Sequence, residues 1–504
     1  MEVSVRQAAL EMAVAGATAN NTTTYTYLPT GQLATVTAPG NTTATSFAYN
    51  PDGTTQSLTD PTGAKTSFAY DGAGHLTQLT DPAGHTRSLV VDARGQVQSM
   101  KDALGNQTSF TYDAIGNRLS LTDPSGAKTA FVYDGLNRLT TTADAQNHVW
   151  TTGYDPNGNV LARTDANGHT STFAYDQNGR MITMTDALGN VSSQGFCADL
   201  SSSPCEQVDP NGNVTKQTYD KVGRPITVTN GAGQTTSTAY NGGGQVTLVT
   251  DANQNTTTSE YDPDGRLSYV VTRVSNTSYS YDARGNRASV TSATGGITSY
   301  TYDANNRLLT ETNPLSQVTA YTYNPDGTRA TKLDANGHTT TYAYDANKRL
   351  TGVTFADGSS YAFQYDSRGH RIQEQSAAEL RTLAYDSLGR LQTAFDTQLE
   401  KTITYGYDPT GNRTTLAFDG VSYAYTYDAD NRLTQVIDPD GEATDLTYDP
   451  GGRRTELVQG NGVATSYAYD QANRTTSIVN AIQPFAYAYD PVGNPYSKTF
   501  SDGT

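Results

Sequence analysis

The chain has 504 residues, of which 35% are hydrophobic and 16% charged, and it contains 46 glycines and 34 tyrosines. Globular domains are usually about 45–50% apolar with glycine counted, so the composition excludes a thick aliphatic core and predicts few helices. The formal net charge of −17 lacks the basic footprint that nucleic acid requires. No stretch approaches the ~20 apolar residues of a membrane span. From the charge we predict no nucleic-acid binding, and from the absence of such a stretch we predict no membrane insertion.

Residues 1–19 contain no copy of the pattern that fills the rest of the chain. A signal peptide needs a basic start and an uninterrupted apolar run, but Glu11 interrupts the only apolar stretch here. No signal peptide is therefore visible, and we predict a short helix or a degenerate strand.

From residue 20 to residue 504, one unit repeats. Its mark is a tyrosine, usually followed by aspartate, at 23 positions from Tyr27 to Tyr489. The mean spacing over those 462 residues and 22 steps is 21 residues, and Val91 and Phe196 are the two substitutes for tyrosine. A fixed period of this length indicates a repeat architecture. Because the period never breaks, it argues against an array of small separate domains.

Each unit carries two turn motifs, Tyr-Asp-x-x-Gly and Asp-Pro-x-Gly. Aspartate first, proline second and glycine fourth is the residue order of a type I turn. The carboxylate caps backbone N–H groups, and the glycine accepts the left-handed conformation that follows. The glycines predicted to serve these turns are Gly63, Gly84, Gly116, Gly126 and Gly179.

Between the turns lie alternating segments of about six residues. Phe110 with Tyr112, and Phe131 with Tyr133, place two aromatic rings on one face of a strand. Each unit is thus predicted to be a β-hairpin, giving an all-β antiparallel ribbon of roughly 40–46 strands. Open sheets rarely exceed ~10 strands without curling, so we predict that the ribbon coils. The pattern leaves a β-solenoid and a rolled sheet open.

The tyrosine marks are predicted to form a ladder that stabilises the sheet. Tyr112, Tyr133, Tyr154 and Tyr175 should stack on neighbouring hairpins, because aromatic pairs add ~0.5–1.5 kcal/mol beyond the area they bury. The ladder residues selected from the sequence are Tyr70, Tyr112, Tyr133, Tyr154, Tyr175, Tyr219, Tyr261, Tyr302, Tyr344 and Tyr448.

The unit resembles the YD repeat of the Rhs family, as YDGLNRL at 133–139 and YDPDGRL at 261–267 illustrate. That family includes bacterial Rhs polymorphic toxins, the B and C components of Tc toxins, wall-associated repeat proteins and the teneurins. The resemblance implies a spiral β-sheet wound into a hollow, barrel-like shell, which encloses a toxin in some members and serves adhesion in others. A C-terminal core with protease aspartates is not seen, since Asn494 stands where that motif has leucine. No toxin domain is seen either.

The two cysteines lie in an irregular insertion at 196–208, which has the longest spacing between marks. A disulfide between Cys197 and Cys205 would staple this loop if their Cα atoms come within ~7 Å. The alternative is two unpaired thiols in a protein folded in the cytosol.

The remaining polar residues give no catalytic or cofactor set. Five of the six histidines directly follow a turn glycine, which indicates exposed tips. The paired aspartates of the turns are explained by capping, and no EF-hand or zinc spacing is present. We therefore predict no metal, no cofactor and no enzymatic activity.

The sequence accordingly predicts a non-catalytic shell, secreted or at the cell surface, that encloses or presents a toxin or another polypeptide. Its partners would be a protein cargo or the other parts of a longer Rhs-like shell. The first alternative is an adhesion or carbohydrate-binding module, because aromatic faces and polar tips suit glycans. The second is a self-processing enzyme, which would need the C-terminal core that is not seen.

Overall fold

A computed structural model describes residues 22–198, 203–481 and 484–500. The described residues contain 46 β-strands and no helix. The predicted all-β fold of 23 tandem hairpins is therefore confirmed. The segment 1–19 lies outside the described residues.

The chain consists of two compact units. Unit 1 contains the described residues up to Gln107 together with Ser275–Tyr361, and unit 2 contains Thr108–Val274 together with the described residues from Ala362 onward. Each unit thus combines two segments that are far apart in the sequence.

The strands of unit 1 are β1 (Thr24–Tyr27), β2 (Leu33–Thr37), β3 (Thr45–Tyr49), β4 (Thr55–Thr59), β5 (Lys65–Tyr70), β6 (Leu76–Thr80), β7 (Thr86–Val91), β8 (Val97–Lys101), β25 (Asn276–Tyr281), β26 (Arg287–Thr291), β27 (Ile297–Tyr302), β28 (Leu308–Thr312), β29 (Val318–Tyr323), β30 (Arg329–Leu333), β31 (Thr339–Tyr344) and β32 (Leu350–Thr354).

The strands of unit 2 are β9 (Gln107–Tyr112), β10 (Arg118–Thr122), β11 (Lys128–Tyr133), β12 (Leu139–Ala143), β13 (Val149–Tyr154), β14 (Val160–Thr164), β15 (Thr170–Tyr175), β16 (Met181–Thr185), β17 (Val191–Phe196), β18 (Pro204–Val208), β19 (Val214–Tyr219), β20 (Pro225–Thr229), β21 (Thr235–Tyr240), β22 (Val246–Thr250), β23 (Thr256–Tyr261), β24 (Leu267–Val271), β33 (Ser360–Tyr365), β34 (Arg371–Gln375), β35 (Leu380–Tyr385), β36 (Leu391–Asp396), β37 (Lys401–Tyr407), β38 (Arg413–Phe418), β39 (Val421–Tyr427), β40 (Leu433–Ile437), β41 (Ala443–Tyr448), β42 (Arg454–Val458), β43 (Ala464–Tyr469), β44 (Thr475–Asn480), β45 (Phe485–Tyr489) and β46 (Pro495–Phe500). β9 and β33 begin at the last residues of the unit 1 segments and pair with β10 and β34.

Within each segment, every strand pairs antiparallel with its neighbours in sequence, as β5 does with β4 and β6. Both turn motifs use the same hydrogen bonds. In the first Asp-Pro-x-Gly turn, the Gly63 N–H donates to the Asp60 carbonyl at 2.9 Å, and the Asp60 N–H donates to the Ala64 carbonyl at 3.0 Å. The Asp60 carboxylate accepts from the N–H groups of Thr62 and Ala64 at 2.8 and 3.0 Å. These bonds close the hairpins in the way that the turn motifs predict.

The fourth turn position requires a left-handed backbone. The φ angles there are 88° at Gly63, 87° at Gly84, 104° at Gly116, 88° at Gly126 and 73° at Gly179. Asparagine takes the same conformation in other turns, with φ of 63° at both Asn137 and Asn147. Asparagine tolerates this region better than most residues other than glycine.

The sheet has no conventional core. Among the described residues no hydrophobic side chain is buried, and the two buried residues are Ser57 and Ser120. The position before most marks faces away from the tyrosines and is exposed, as Val132 before Tyr133 shows. A folded segment is therefore a single sheet that buries neither face completely, in agreement with the low apolar content.

Candidate functional site: the seams between sheet segments

The turns lie at the two ends of the strands and form two rims. We call the rim with the Tyr-Asp turns the YD rim, and the rim with the Asp-Pro-x-Gly turns and their variants the DP rim. Because the strands are antiparallel and of similar length, the two classes of turn fall on opposite rims of each segment. In both units, the DP rim of the first segment contacts the YD rim of the second segment. We call each of these contacts a seam.

The seam of unit 1 is built from paired turn tips at a constant register. The Asn305 amide donates to the Asp60 carboxylate at 2.7 Å across 245 residues of chain. Two repeats later, the Asn347 amide donates to the Asp102 carboxylate at 2.6 Å, also across 245 residues. The Asn347 carbonyl oxygen accepts from the backbone N–H of Ala103 at 3.1 Å. Each asparagine side chain at this position therefore joins the two segments.

The seam of unit 2 uses the same rims, and in several of its contacts the asparagine lies on the DP rim instead of the YD rim. Asn167 of the DP rim donates to Asp408 of the YD rim at 3.0 Å, and Asn253 donates to Asp490 at 2.9 Å. Further seam bonds with chain separations of 238 to 264 residues are those of Gln146 with Ser387 and Arg390, Asn211 with Asp449, and Asn473 with Asp209 and Asn213. Charge-assisted hydrogen bonds to aspartate are stronger than neutral ones, so polar contacts hold the segments together.

One tip pair in each unit brings two carboxylates together. In unit 2, Asp430 faces Asp186, and the backbone N–H of Ala187 donates to the Asp430 Oδ1 atom at 3.1 Å. This is the bond that Ala103 makes to Asn347, so Asp430 occupies the position of the asparagine but lacks its N–H donor. Partial burial and the facing Asp186 carboxylate raise the pKa of Asp430. A proton on Asp430 would restore the missing donor.

At other turn carboxylates, such as Asp408 and Asp102, the pKa is lowered instead of raised. Partial burial of Asp408 acts against ionisation, but hydrogen bonds from Asn167, Asn412 and Thr410 outweigh it and lower the pKa of Asp408. At Asp102 burial is likewise outweighed by bonds from Asn106 and from Asn347 across the seam, so its pKa is also lowered. Hydrogen bonds to the ionised form favour that form.

The mark tyrosines contact their neighbours mainly through arginine and backbone carbonyls. The Arg432 guanidinium donates to Asp428 at 2.7 Å and lies 5.0 Å from the centre of the Tyr448 ring in the next hairpin. The Tyr448 hydroxyl donates back to the Leu433 carbonyl at 2.7 Å. The same arginine–tyrosine contact recurs for Tyr154, Tyr240, Tyr323, Tyr407, Tyr469 and Tyr489. Ring-to-ring stacking of Tyr112, Tyr133, Tyr154 and Tyr175 stays a prediction.

The insertion at 196–208 begins at the last residue of β17 and includes β18. The Cys197 and Cys205 Cα atoms lie 5.2 Å apart with their sulfurs joined, and the Cys197 N–H donates to the Ser203 carbonyl at 3.1 Å. That separation is within the range of a disulfide. The oxidation state in the cell stays a proposal.

The histidines occupy one repeated position. Each lies four residues after a turn aspartate and places its Nδ1 atom near that carboxylate, at 3.1 Å for His75 and 3.0 Å for His370. Arginine or asparagine takes the same position in other turns, so histidine here is one of several residues that close the turn. Among the described residues, one histidine, His85, also lies near a carboxylate from the other segment.

A cleft of about 480 Å³ opens at the unit 2 seam, lined by Trp150, Arg163, His169, Asp186 and Asp430 among others. Two of these residues, Asp186 and Asp430, are the carboxylate pair described above, which is joined across the seam through the Ala187 N–H. The arrangement therefore supports joining of segments more directly than it supports substrate chemistry. In the described part of the chain, no helix is long and apolar enough to cross a membrane.

The seams could not be found from the repeat alone. The residues paired across a seam lie about 240 positions apart in the sequence. No pattern contained within one repeat therefore pairs Asp102 with Asn347. The signal that was available is the recurring Tyr-Asp-Ala-Asn at 302–305 and 344–347. Likewise, the arginine five residues after many mark tyrosines signals the arginine–tyrosine contacts.

Comparison with solved structures finds the same fold. The structure of TcdB2-TccC3-Cdc42 matches with a TM-score of 0.80 and 14% identity, covering 95% of this chain and 36% of that chain. The Photorhabdus luminescens Tc holotoxin pore with mutated TccC3 matches with a TM-score of 0.57 and 16% identity, covering 96% of this chain and 29% of that one. The chain thus spans about a third of these relatives, and at these identities the likeness concerns the fold.

Comparison with curated proteins gives no match. The sequence profile of the RHS Repeat family does match, in overlapping copies that together cover more than half of the 504 residues. The copies are at 49–86, 91–128, 116–149, 154–191, 206–235, 281–316, 302–339, 323–359, 344–379, 415–443 and 427–464. With its repeats, its fold and its profile in agreement, the chain belongs to the RHS repeat family.

Proposed function

We propose that this chain is a non-catalytic wall segment of an Rhs-type shell, and that it encloses or presents another polypeptide outside the cell that makes it. The observation that supports this most directly is the seam. Two single-layer sheet segments join rim to rim through bonds such as Asn347 to Asp102, with no buried hydrophobic side chain among the described residues. A sheet that is extended through its rims rather than folded onto a core makes a wall.

The similarity to Tc toxin structures supports the same proposal. The two solved assemblies contain TccC3, so a protein partner for this chain is a reasonable inference from a shared fold. Because this chain spans only about a third of those chains, its partner and its cargo are proposed here only as a class: a polypeptide held by the wall.

The experiment is protection of a tethered polypeptide from protease. The full chain is produced with a flexible, protease-sensitive peptide joined after Thr504, beside a variant in which Asn305 and Asn347 are both aspartate. We expect slow cleavage of the peptide in the native chain and faster cleavage in the variant, whose unit 1 seam is weakened. Equal, fast cleavage in both proteins would contradict enclosure.

The adhesion or carbohydrate-binding alternative is tested separately. A glycan array probed with the full chain should show no saturable binding if the chain acts only as a wall. Saturable binding that survives when the seam is weakened would favour the adhesion function.

A further inference from the structure

Asp81, His85 and Asp326 form a cluster that the function proposed above does not use. One nitrogen of His85 and one oxygen from each aspartate lie within 4.8 Å of one another. Asp81 and His85 belong to the DP rim of the first segment of unit 1, and Asp326 belongs to the YD rim of the second. The cluster therefore spans the seam.

The repeat supplies an internal comparison for this cluster. Asp60, Asp81 and Asp102 are spaced by 21 residues on one rim, and Asn305, Asp326 and Asn347 are spaced by 21 on the other. The two outer pairs are closed by an asparagine amide, at 2.7 and 2.6 Å. At the middle pair, aspartate replaces asparagine, so the donor is lost and two carboxylates meet.

The middle pair also differs from the carboxylate pair of unit 2. Asp430 keeps the orientation of the asparagine and accepts from the Ala187 N–H. Asp326 instead turns its Oδ1 atom to its own hairpin, where it accepts from the Thr328 N–H at 3.0 Å and hydroxyl at 2.7 Å. Its second oxygen makes no hydrogen bond within the described residues. The arrangement at Asp430, which accepts from the N–H across the seam, is therefore not repeated at Asp326.

Among the described residues, the one ion pair made by either carboxylate is that of Asp81 with His85. The Lys348 ammonium lies nearby, but it donates to the backbone carbonyl of Asp326 at 2.7 Å and not to its carboxylate. His85 lies 3.2 Å from Asp81 through its Nδ1 atom. The side chain of Asp81 is only 12% exposed and that of His85 34%, so water screens this cluster less than it would an exposed tip.

We propose that Asp81, His85 and Asp326 bind one divalent transition-metal ion, with Zn²⁺ the best suited, and that this ion joins the two segments of unit 1. One imidazole and two carboxylates with a water are a ligand set that Zn²⁺ accepts. Ca²⁺ and Mg²⁺ prefer ligand sets made of oxygen. Zinc bonds of about 2.0–2.2 Å place tetrahedral ligands roughly 3.4 Å apart, so the side chains need to close by little more than about 1 Å.

This site could not be predicted from the sequence because its third ligand, Asp326, is 241 residues from its second, His85. The pattern Asn-Pro-Asp-Gly-Thr at 324–328 occurs also at 50–54. There, Asp52 accepts from the Thr54 N–H and hydroxyl in the same way as Asp326 does from Thr328. Asp52 lies on the YD rim of the first segment, away from the seam, and is a matched control.

The test uses the full chain, stripped of metal with a chelator and titrated calorimetrically with ZnCl₂, CaCl₂ or MgCl₂. The variants are Asp326→Asn and His85→Asn, with Asp52→Asn and His338→Asn as controls. Asparagine is chosen for His85 because Asn106 closes the equivalent turn by donating to Asp102 at 2.8 Å. His338 is paired with Asp334 in the same local way but lies outside the cluster.

We expect one Zn²⁺ site per chain that is weakened at least tenfold by Asp326→Asn and by His85→Asn and left unchanged by both controls. Zinc should raise the unfolding temperature of the native chain but not that of Asp326→Asn. In chelator, Asp326→Asn should unfold at a higher temperature than the native chain, because its amide can donate to Asp81.

The proposal is overturned if Asp326→Asn binds zinc as tightly as the native chain, or if Asp52→Asn weakens zinc binding as much as Asp326→Asn does. It is also overturned if acid alone stabilises the seam and zinc does not.

Discussion

The side-chain amide of Asn347 joins the two segments of unit 1 by contacting Asp102, which is 245 residues away in the sequence. Its nitrogen donates to the Asp102 carboxylate at 2.6 Å, and its oxygen accepts from the Ala103 N–H at 3.1 Å. The amide makes one bond as a donor and one as an acceptor, so this side chain fixes which turns pair across the seam as well as strengthening the contact. Asn347→Asp keeps the acceptor and replaces the donor with a second negative charge. We expect a loss of about 1–3 kcal/mol in the free energy of unfolding of unit 1, because a charge-assisted hydrogen bond is exchanged for repulsion.

The measurement is denaturant unfolding of the full chain, with hydrogen exchange of the peptide that contains Ala103. Asn336→Asp is the control, because Asn336 occupies the third position of a turn on the opposite rim of the same segment, where its N–H bonds the Asp334 carboxylate at 2.9 Å. If Asn336→Asp and Asn347→Asp destabilise the protein equally, the seam contact has no special role.

The carboxylate pair of unit 2 predicts a pH dependence. The pKa of Asp430 is raised by burial and by Asp186, so its contribution to stability is present at acid pH and is lost as the pH rises through that pKa. The groups that face it are Asp186, the Ala187 N–H and Arg432, whose Nη2 atom lies 3.9 Å away and whose Nε atom donates to Asp428. Asp430→Asn should therefore slow exchange of the Ala187 amide at pH 7 and have little effect near pH 4.

The rest of the protein responds to acid in the opposite direction. Hydrogen bonds lower the pKa values of the turn carboxylates, including those of Asp102 and Asp408. Such groups contribute stability above their unfolded pKa, near 4, and lose it as the pH falls. The comparison of Asp430→Asn with the native chain at each pH isolates the pair from this general trend. A difference that is constant from pH 4 to pH 8 would contradict the shared proton.

The hydroxyl groups of the mark tyrosines tie successive hairpins together. Tyr448→Phe removes the 2.7 Å bond to the Leu433 carbonyl and keeps the ring beside Arg432. We expect a loss of about 0.5–1.5 kcal/mol in unfolding free energy, the usual value of one such bond. Tyr496→Phe is the control because Tyr496 is 72% exposed. Equal effects of the two changes in denaturant titrations would show that the ladder hydroxyl contributes nothing.

The turn glycines allow backbone strain to be tested without steric clash. A Cβ atom at Gly126 would meet nothing within 4 Å, but φ there is +88°. Gly126→Ala should cost about 1 kcal/mol from the left-handed backbone alone. Gly72 has equally open surroundings without the positive φ, so Gly72→Ala should be neutral or slightly stabilising. Thermal unfolding of both variants decides this, and equal midpoints would contradict the role given to φ.

The cysteine loop predicts a redox effect on stability. A disulfide from Cys197 to Cys205 closes a loop of eight to nine residues, for which the chain-entropy estimate is about 2–3 kcal/mol. Thiol titration of the unreduced protein should find no free thiol, and reduction should lower the unfolding temperature. The double variant Cys197→Ser, Cys205→Ser should match the reduced protein and be insensitive to reductant. Two titratable thiols before reduction would contradict the pairing.

The local parts of the fold could be predicted because each is encoded within one repeat. The Asp60 turn, the left-handed Gly63 and the alternation that places Phe131 and Tyr133 on one face depend on residues fewer than six apart. The number of hairpins follows from counting marks. The absence of buried hydrophobic side chains among the described residues likewise follows from the composition.

The seams depend on which repeats meet, and the residues that pair there lie about 240 positions apart in the sequence. Nothing within a 21-residue unit fixes which repeats meet. Consequently, Asp326 could be interpreted from sequence only as a turn residue, although its partner Asp81 lies in a turn of the same recognisable kind. The contact of Arg432 with the Tyr448 ring was also not predicted, although the turn orients Arg432 through Asp428 within a single repeat.

The most direct test of the central claim is cryo-electron microscopy of the purified full chain. We expect a hollow particle whose wall is one sheet thick. It should show density for the Asn305–Asp60 and Asn347–Asp102 contacts between adjacent segments. A solid particle with a buried hydrophobic centre, or a string of independent hairpins without seams, would contradict the central claim.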